Sequence, residues 1–268
     1  MNNALQCCFK RVEKKYLLTK EQYLAMRWGM SPYVTADRYA NYTISNLYYD
    51  TDDYQLIRTS LDKPVYKEKL RMRAYGVPGD HDKVFIELKK KFEGVVYKRR
   101  IVLDADAAAR YIHQGQNPEA ENQISREIDY FMSSYQPVPK VFIGYDREAW
   151  AGVENPDLRI TFDTNLRWRT TDLDLRRGDS GAPILPPDQI LMELKIPGAA
   201  PLWLARLLSE NHIFSTSFSK YGTWYKQVIL GQGTPVLPDT PKAVAAIPME
   251  STAPALPKTP KTARKAAA

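Results

Sequence analysis

The stretch Tyr66–Tyr75, YKEKLRMRAY, alternates basic side chains with mainly apolar ones. Successive side chains of a β-strand point to opposite faces, so one face of this segment is basic and the other is apolar. The basic face carries Lys67, Lys69, Arg71 and Arg73. We therefore predict a strand that buries its apolar face in the core and turns a row of cations to the other side of a sheet.

Seven further segments alternate in the same way, and we predict a strand for each of them. They are residues 6–18, 42–50, 83–91, 95–103, 140–150, 158–167 and 190–196. A capping box at residues 19–22 predicts a helix at 23–28, and Thr51 or Asp52 is the predicted cap of a short helix that runs through residue 60. Capping residues and helical spacing predict further helices at 105–113, 125–135, 201–211 and 219–230. Long strands with few crossover helices indicate an α+β fold, an antiparallel eight-stranded β-barrel with flanking helices.

Cations occupy alternate positions in six of these strands, with a carboxylate interrupting each set. For any single strand, a solvated sheet face is the simplest explanation. Like charges on neighbouring strands repel, however, so six such strands indicate that an anion lies between them. An eight-stranded barrel has room for one slender ligand. A tunnel of Arg and Lys suits a linear polyanion such as a chain of phosphates, and the few carboxylates are then available for a divalent metal.

The composition excludes several kinds of site. The chain has 268 residues, a net charge of +7, three His and two adjacent cysteines, Cys7 and Cys8. Adjacent cysteines rarely bridge each other, and so few ligands cannot build a Cys/His zinc site, so any metal must be held by carboxylates. The sequence contains no apolar run of about 18 residues, so no transmembrane segment is predicted. No apolar leader follows Met1, and we expect a cytoplasmic protein.

The composition changes at Gly231. Residues 231–268 hold seven of the 19 prolines, no aromatic residue, and five basic residues against two acidic ones. Such a segment buries too little apolar surface to offset its ordering entropy, so we predict a disordered tail after a folded domain at residues 1–230. A solvated tail is the simplest interpretation, and contact with nucleic acid or peripheral contact with an anionic membrane surface are the alternatives.

Short motifs spread in order along residues 8–228 resemble the VTC domain family. They are RVEKKY at 11–16, SNLYYD at 45–50, KLRMRAYG at 69–76, FIELK at 85–89, KRR at 98–100, YDR at 145–147, RITFD at 159–163, MELK at 192–195 and FSKY at 218–221. This family is the catalytic domain of the vacuolar transporter chaperone, a polyphosphate polymerase, and it belongs to the CYTH-like triphosphate tunnel metalloenzymes. The resemblance implies a triphosphate tunnel fold, transfer of the ATP γ-phosphate to a growing polyphosphate chain, and Mn²⁺ or Mg²⁺ as cofactor.

The resemblance and the alternation together assign roles to individual residues. The predicted catalytic residues around the transferring phosphate are Arg71, Arg73, Lys89, Lys98, Arg100, Arg147 and Arg159. The predicted substrate-binding residues are Lys15, Lys69, Lys195, Ser219 and Lys220. Glu193 matches the metal-ligand glutamate of the family, whereas Glu13 and Glu87 either support the metal or pair structurally with Arg and Lys. Asp163 is ambiguous in the same way.

Two alternatives lie close to a polyphosphate polymerase: a triphosphatase or nucleotide phosphohydrolase of the same fold, and a non-catalytic polyphosphate-binding module. The cyclase and thiamine-triphosphatase branch of the fold has a glutamate where this chain has Arg11. This chain therefore lacks one metal carboxylate and gains a cation, which favours synthesis over hydrolysis. We expect ATP and polyphosphate as partners and no nucleic acid, because the alternation turns the cations into a barrel rather than onto an exposed surface.

Overall fold

A single antiparallel sheet organises the protein, whose computed structural model describes residues 11–116 and 122–233. Its long strands are β1 (Arg11–Leu18), β2 (Val34–Asp50), β3 (Tyr66–Tyr75), β4 (Lys83–Phe92), β5 (Val95–Asp104), β6 (Val138–Gly152), β7 (Arg159–Arg169) and β9 (Ile190–Pro197). The two-residue strand β8 (Ala182–Pro183) pairs with β7. The order across the sheet is β1-β9-β7-β6-β2-β3-β4-β5.

Helices connect the strands and pack on both faces of the sheet. They are α1 (Lys20–Met30), α2 (Gln55–Leu61), α3 (Ala105–Gln114), α4 (Gln123–Tyr135), α5 (Leu202–Glu210) and α6 (Lys220–Trp224), the last of which continues as a π-helix over Tyr225–Ile229. The predicted capping box at the start of α1 is present, because Thr19 and Gln22 satisfy each other's backbone N–H groups. No helix of the described residues is both long and apolar enough to cross a membrane.

The outer face of the sheet holds two apolar clusters. In the first, Leu70 and Met72 of β3 pack with Ile128 and Phe131 of α4. In the second, α1 and α5 cover β1, β7 and β9, with Met26 and Leu204 completely buried. Since the apolar side chains of β3 lie on the outer face of the sheet, the cations of β3 must lie on the opposite face.

The opposite face is concave. Side chains from both outermost strands, Lys15 on β1 and Lys98 on β5, line the same cavity, so the sheet curls around a tunnel. A third apolar cluster, built around Ile143, Leu191 and Trp224, fills part of the concave side beneath α6. The predicted α+β antiparallel tunnel architecture with flanking helices is confirmed.

Several element boundaries differ from those predicted. Strand β2 begins at Val34 rather than at residue 42, because its register with β6 shifts between Ala36 and Asn41 and so interrupts the period of two. The predicted helix over 219–230 is α-helical for only five residues before it widens into the π-helix. Residues 6–10 of the first predicted strand, with Cys7 and Cys8, and residues 234–268 of the predicted tail lie outside the described residues.

Candidate active site

The tunnel contains a cavity of about 590 Å³ whose wall is strongly basic. Thirteen basic side chains line it: Lys15, Lys63, Lys67, Lys69, Arg71, Arg73, Lys89, Lys91, Lys98, Arg147, Lys195, Lys220 and Lys226. The acidic side chains of the wall are Glu13, Glu87 and Glu193. The local excess of positive charge therefore exceeds the net charge of +7 of the whole chain.

One network of ion pairs, which we call the paired cluster, consists of Lys15, Arg147, Asp163, Glu193 and Lys220, of which all but Asp163 line the cavity. Arg147 Nε and Nη2 donate to the two carboxylate oxygens of Asp163 at 2.6 and 2.7 Å. Lys220 Nζ donates to Asp163 Oδ2 at 2.6 Å and to Glu193 Oε1 at 3.3 Å. Arg147 Nη2 donates to Glu193 Oε2 at 3.2 Å, and Lys15 Nζ lies 3.4 Å from Glu193 Oε1.

Strand register brings this network together. Arg147 of β6 stands opposite Asp163 of β7, and Glu193 of β9 stands opposite Lys15 of β1. Lys220 enters from the first turn of α6, far away in the sequence. Burial raises the pKa of Glu193, but the surrounding cations, Lys220 first among them, outweigh it and hold that pKa well below its usual range.

A second group of ion pairs, centred on Glu87 of β4, joins β3, β4 and β5. Arg71 Nε and Nη2 donate to Glu87 Oε2 at 2.9 and 2.6 Å, and Lys98 Nζ lies 2.6 Å from Glu87 Oε1. Burial raises the pKa of Glu87, but Arg71 and Arg73 overcome this effect and lower it to about 2. Arg73 Nε also donates to Asn46 Oδ1 at 2.9 Å. Glu87 thus pairs with the arginines, which is the structural alternative of the two roles predicted for it.

The remaining part of the wall, which we call the lysine cluster, consists of Lys67, Lys69, Lys89 and Lys91. Lys67 stands directly opposite Lys91, and Lys69 directly opposite Lys89. In the part of the chain that the structure describes, no carboxylate oxygen lies within 4.0 Å of any of these four ammonium groups. Burial, together with the neighbouring cations, lowers the pKa of Lys69 to about 7. Such a juxtaposition is unfavourable in an empty protein and becomes favourable when an anion is bound.

Most of the predicted site residues meet in the cavity. Lining it are Glu13, Lys15, Lys69, Arg71, Arg73, Glu87, Lys89, Lys98, Arg147, Glu193, Lys195, Ser219 and Lys220. Arg100 and Arg159 do not line it. The Arg100 guanidinium lies 4.7 Å from the centre of the Phe85 ring, and Arg159 Nη1 donates to Asp37 Oδ2 at 2.6 Å.

Other residues of the wall were not identified from the sequence. Tyr145 Oη accepts a hydrogen bond from Arg73 Nη2 at 3.4 Å, and Lys220 Nζ lies 4.2 Å from the centre of the Tyr145 ring. Burial raises the pKa of Tyr145, but Arg73, Arg147 and Lys220 together lower it. Its position two residues before Arg147 on the same strand face is the signal that could have found it. Ile57 and Leu61 of α2 and Lys226 of the π-helix carry no such signal.

The donor set decides how a divalent metal could be held here. Among the described residues, no three His, Cys, Asp or Glu side chains gather into a ready-made metal site. Glu13 and Glu193 do flank Lys15, whose Nζ lies 3.7 Å from Glu13 Oε1 and 3.4 Å from Glu193 Oε1. Mg²⁺ is commonly held by one or two carboxylates together with substrate phosphates and water. The residues therefore fit a divalent cation whose coordination is completed by bound phosphate.

The chain is similar to known proteins in sequence and in fold. The model of the VTC domain family matches residues 10–229. Subunit 4 of the vacuolar transporter chaperone complex from Trypanosoma cruzi is 27% identical over 66% of this chain and 27% of its own length. The corresponding subunit from Trypanosoma brucei brucei is 28% identical, again over 66% of this chain and 27% of its own length. The chain thus spans about a quarter of the curated relatives that it matches.

Two solved structures share the fold. A candidate adenylate cyclase from Bacillus halodurans superimposes with a TM-score of 0.50 at 15% identity, covering 78% of this chain and 93% of its own. A candidate adenylyl cyclase from Hippeastrum, with a dominant triphosphatase activity, superimposes with a TM-score of 0.50 at 16% identity. This alignment covers 84% of our chain and 98% of the other. At these identities the likeness concerns the fold alone.

Proposed function

Because the chain belongs to the VTC domain family, we propose that it is a polyphosphate polymerase, which transfers the γ-phosphate of ATP to the end of a polyphosphate chain bound in the tunnel. The lysine cluster is the observation that carries this proposal. Four facing ammonium groups without a carboxylate partner among the described residues line a cavity of about 590 Å³. An extended polyanion satisfies all four at once, whereas a compact monoanion does not.

Phosphoryl transfer requires in-line positioning and neutralisation of the equatorial oxygens. We expect Arg71, Arg73 and Arg147 to supply both through their planar donor forks, with Lys89 and Lys98 as additional point charges. The predicted substrate-binding residues Lys15, Lys69, Lys195, Ser219 and Lys220 then hold the rest of the phosphates. Arg100 and Arg159 are expected to meet phosphate only outside the cavity. A terminal phosphate oxygen of the chain attacks the γ-phosphorus of ATP, the bond from that phosphorus to the β–γ bridging oxygen breaks and ADP leaves, so no side-chain nucleophile is required.

We propose that Glu193 and Glu13 hold the divalent cation, Mn²⁺ or Mg²⁺. The bound cation supplies neutralisation of charge on the triphosphate oxygens. Glu87 is already committed to Arg71 and Lys98, so its contribution is to orient those two cations rather than to hold the metal. Glu193 also contacts Lys15, Arg147 and Lys220, so its assignment rests on its match to the metal-ligand glutamate of the family rather than on a lack of cation partners.

The direct test is the product formed from ATP. The protein is incubated with ATP and either Mn²⁺ or Mg²⁺, and the products are separated by gel electrophoresis and by phosphorus NMR. We expect long chains whose internal phosphates resonate apart from terminal ones. Orthophosphate as the sole product would overturn synthesis in favour of a triphosphatase. Tight binding of tripolyphosphate without turnover in either metal would indicate a non-catalytic binding module.

A second measurement addresses nucleic acid. Tripolyphosphate is expected to displace a fluorescent ATP analogue from the tunnel, whereas single-stranded DNA of equal phosphate concentration is not. Displacement by both would contradict a tunnel that admits only a slender chain. We further propose a cytoplasmic location, where ATP is available as the substrate. The folded domain at 1–230 and the disordered basic tail at 231–268, with its option of peripheral membrane contact, remain predictions.

A further inference from the structure

A completely buried carboxylate lies beside the tunnel, and the reaction described above does not use it. Asp50, at the end of β2, is 0% exposed. Its Oδ1 accepts from the backbone N–H groups of Thr51 and Leu56, each at 2.8 Å, and its Oδ2 accepts from the N–H of Ile57 at 3.0 Å. Tyr221 Oη donates to Oδ2 at 2.8 Å. Among the described residues no Lys or Arg nitrogen lies within 4.0 Å of it, so its close polar contacts are hydrogen bonds.

The hydrogen bonds from Leu56, Ile57 and Tyr221 join two elements that both reach the tunnel. Leu56 and Ile57 belong to the first turn of α2, which lines the cavity through Ile57 and Leu61. Tyr221 belongs to α6 and directly follows Lys220, which bridges Asp163 and Glu193 in the paired cluster. The carboxylate therefore fixes α2 and α6 to the same point of the sheet.

The ring of Tyr221 is held separately from its hydroxyl group. It stacks on Tyr48 with centroids 5.0 Å apart and an interplanar angle of 14°, and on Trp224 at 5.6 Å and 12°. Tyr48 Oη in turn accepts from Arg71 Nη1 at 3.3 Å. Removing only the Tyr221 hydroxyl group leaves this stack in place, so the hydrogen bond to Asp50 can be tested without a cavity.

We propose that Asp50 and Tyr221 are positioning residues, which act through Lys220 to hold the paired cluster in the geometry required for phosphoryl transfer. Lys220 is the first residue of α6, so the position of its side chain depends on how the start of that helix is held against the sheet. The bond from Tyr221 to a carboxylate that is itself fixed by three backbone N–H groups holds that start to the end of β2. This inference rests on the proposed polymerase function.

The test compares two tyrosines that each donate to a carboxylate. Tyr221→Phe removes the hydrogen bond to Asp50. The matched control Tyr111→Phe removes a hydrogen bond of 2.6 Å to Asp129, and Tyr111 lies in the first apolar cluster on the outer face of the sheet. Thermal unfolding and the kinetics of polyphosphate synthesis are measured for both. We expect similar losses in melting temperature, a fall in kcat of about tenfold only for Tyr221→Phe, and a KM for ATP unchanged within about twofold in both variants.

A double-mutant cycle then separates positioning from general structural support. If Tyr221 acts through Lys220, adding Tyr221→Phe to Lys220→Gln lowers kcat no further. The proposal would be overturned if Tyr221→Phe lowered kcat equally in the wild type and in Lys220→Gln, or if Tyr221→Phe alone left kcat unchanged. If the wild type makes no polyphosphate, the proposed function fails by itself. The cycle is then run on tripolyphosphate affinity, where the same non-additivity is expected and full additivity refutes the positioning role.

Discussion

The paired cluster and the lysine cluster lie in one tunnel, yet they satisfy their charges in opposite ways. In the paired cluster, Asp163 and Glu193 are almost wholly buried, and each contacts at least two cations. In the lysine cluster, cations face cations across the β3–β4 ladder. The charges of the first are paired with one another in the fold, whereas the cations of the second have no carboxylate within 4.0 Å among the described residues. The comparison separates cations that join strands and helix in addition to their proposed contacts with substrate from cations for which we expect bound phosphate to be the main counter-ion.

The same difference predicts opposite energetic consequences of mutation. Removing one partner of a buried ion pair leaves an uncompensated charge in a poorly solvated place. Removing one of several repelling, partly buried cations relieves an unfavourable interaction. Stability and binding should therefore respond in opposite directions in the two clusters, and each prediction below tests that contrast.

The largest expected effect is on stability. Lys220→Met leaves the carboxylates of Asp163 and Glu193 short of a cation, and we expect a loss of about 3–5 kcal/mol in the free energy of unfolding. Lys69→Met, in the lysine cluster, is expected to leave that free energy unchanged or to raise it. Urea unfolding of both variants measures the contrast. Equal destabilisation by the two would remove the distinction between the clusters.

The next effect is on turnover. Glu193→Gln keeps the shape of the side chain but removes the charge that orients Lys15, Arg147 and Lys220 and that we propose holds the metal. We expect kcat for polyphosphate synthesis to fall by about 100-fold or more, as for the loss of one essential electrostatic group. The exposed Glu154→Gln is the control. Wild-type turnover in Glu193→Gln would refute the assigned role of Glu193.

The third effect is on the pH dependence of binding. Burial and neighbouring cations lower the pKa of Lys69 from its ordinary value of 10.5 to about 7, so without a bound anion this charge is lost as the pH rises through 7. A bound polyanion stabilises the ammonium form and raises its pKa. We expect tripolyphosphate affinity to fall by up to about tenfold between pH 6 and 8, with proton uptake on binding at pH 7.5.

Calorimetry in buffers of different ionisation enthalpy measures the proton uptake on tripolyphosphate binding. We expect a smaller uptake in Lys69→Met and an unchanged uptake in the control Lys14→Met, whose lysine is exposed on the outer face. The lowered pKa of Lys69 also determines how pH affects the free energy of unfolding. Since the folded pKa lies below the unfolded one, the cost of burying charged Lys69 is fully present below pH 7 and is relieved between pH 7 and 10.5. An unchanged proton uptake in Lys69→Met would assign the titration to another group.

The smallest expected effect is on tripolyphosphate affinity and tests how far the binding site extends along the tunnel. Arg100 stacks on Phe85 outside the cavity, so Arg100→Ala should change tripolyphosphate affinity by less than about twofold. Arg71→Ala, one of the wall residues, provides the comparison and should weaken it far more. A tenfold loss for Arg100→Ala would show that the bound chain extends beyond the cavity described here.

Much of the fold could be predicted from the sequence, because alternation is a local property. Leu70, Met72 and Ala74 of β3 are buried as the pattern predicts, and the eight long strands were each anticipated. Prediction failed where local geometry departs from regular structure. The register shift in β2 and the π-helix after α6 change the period, so a pattern that assumes a constant period stops at the wrong residue.

The site was predictable to the extent that it follows strand faces. Arg71, Arg147 and Glu193 meet in one cavity because each lies on the inward face of its strand. Contacts made from outside the sheet were not predictable. The wall formed by α2, the stack of Tyr221 on Tyr48 and the shared anchor at Asp50 depend on how helices fold back over the tunnel.

By itself, the sequence determined which side chains share a face, because a period of two leaves each strand residue only one of two sides. It thereby determined that the concave side of the sheet is basic and that its few carboxylates lie among cations. Only the tertiary structure decided which cations are paired. Strand register brought Arg147 to Asp163 but Lys69 to Lys89, and the return of α6 brought Lys220 between two carboxylates. Pairing depends on distances of a few ångströms between residues far apart in the chain, and these distances are set by packing.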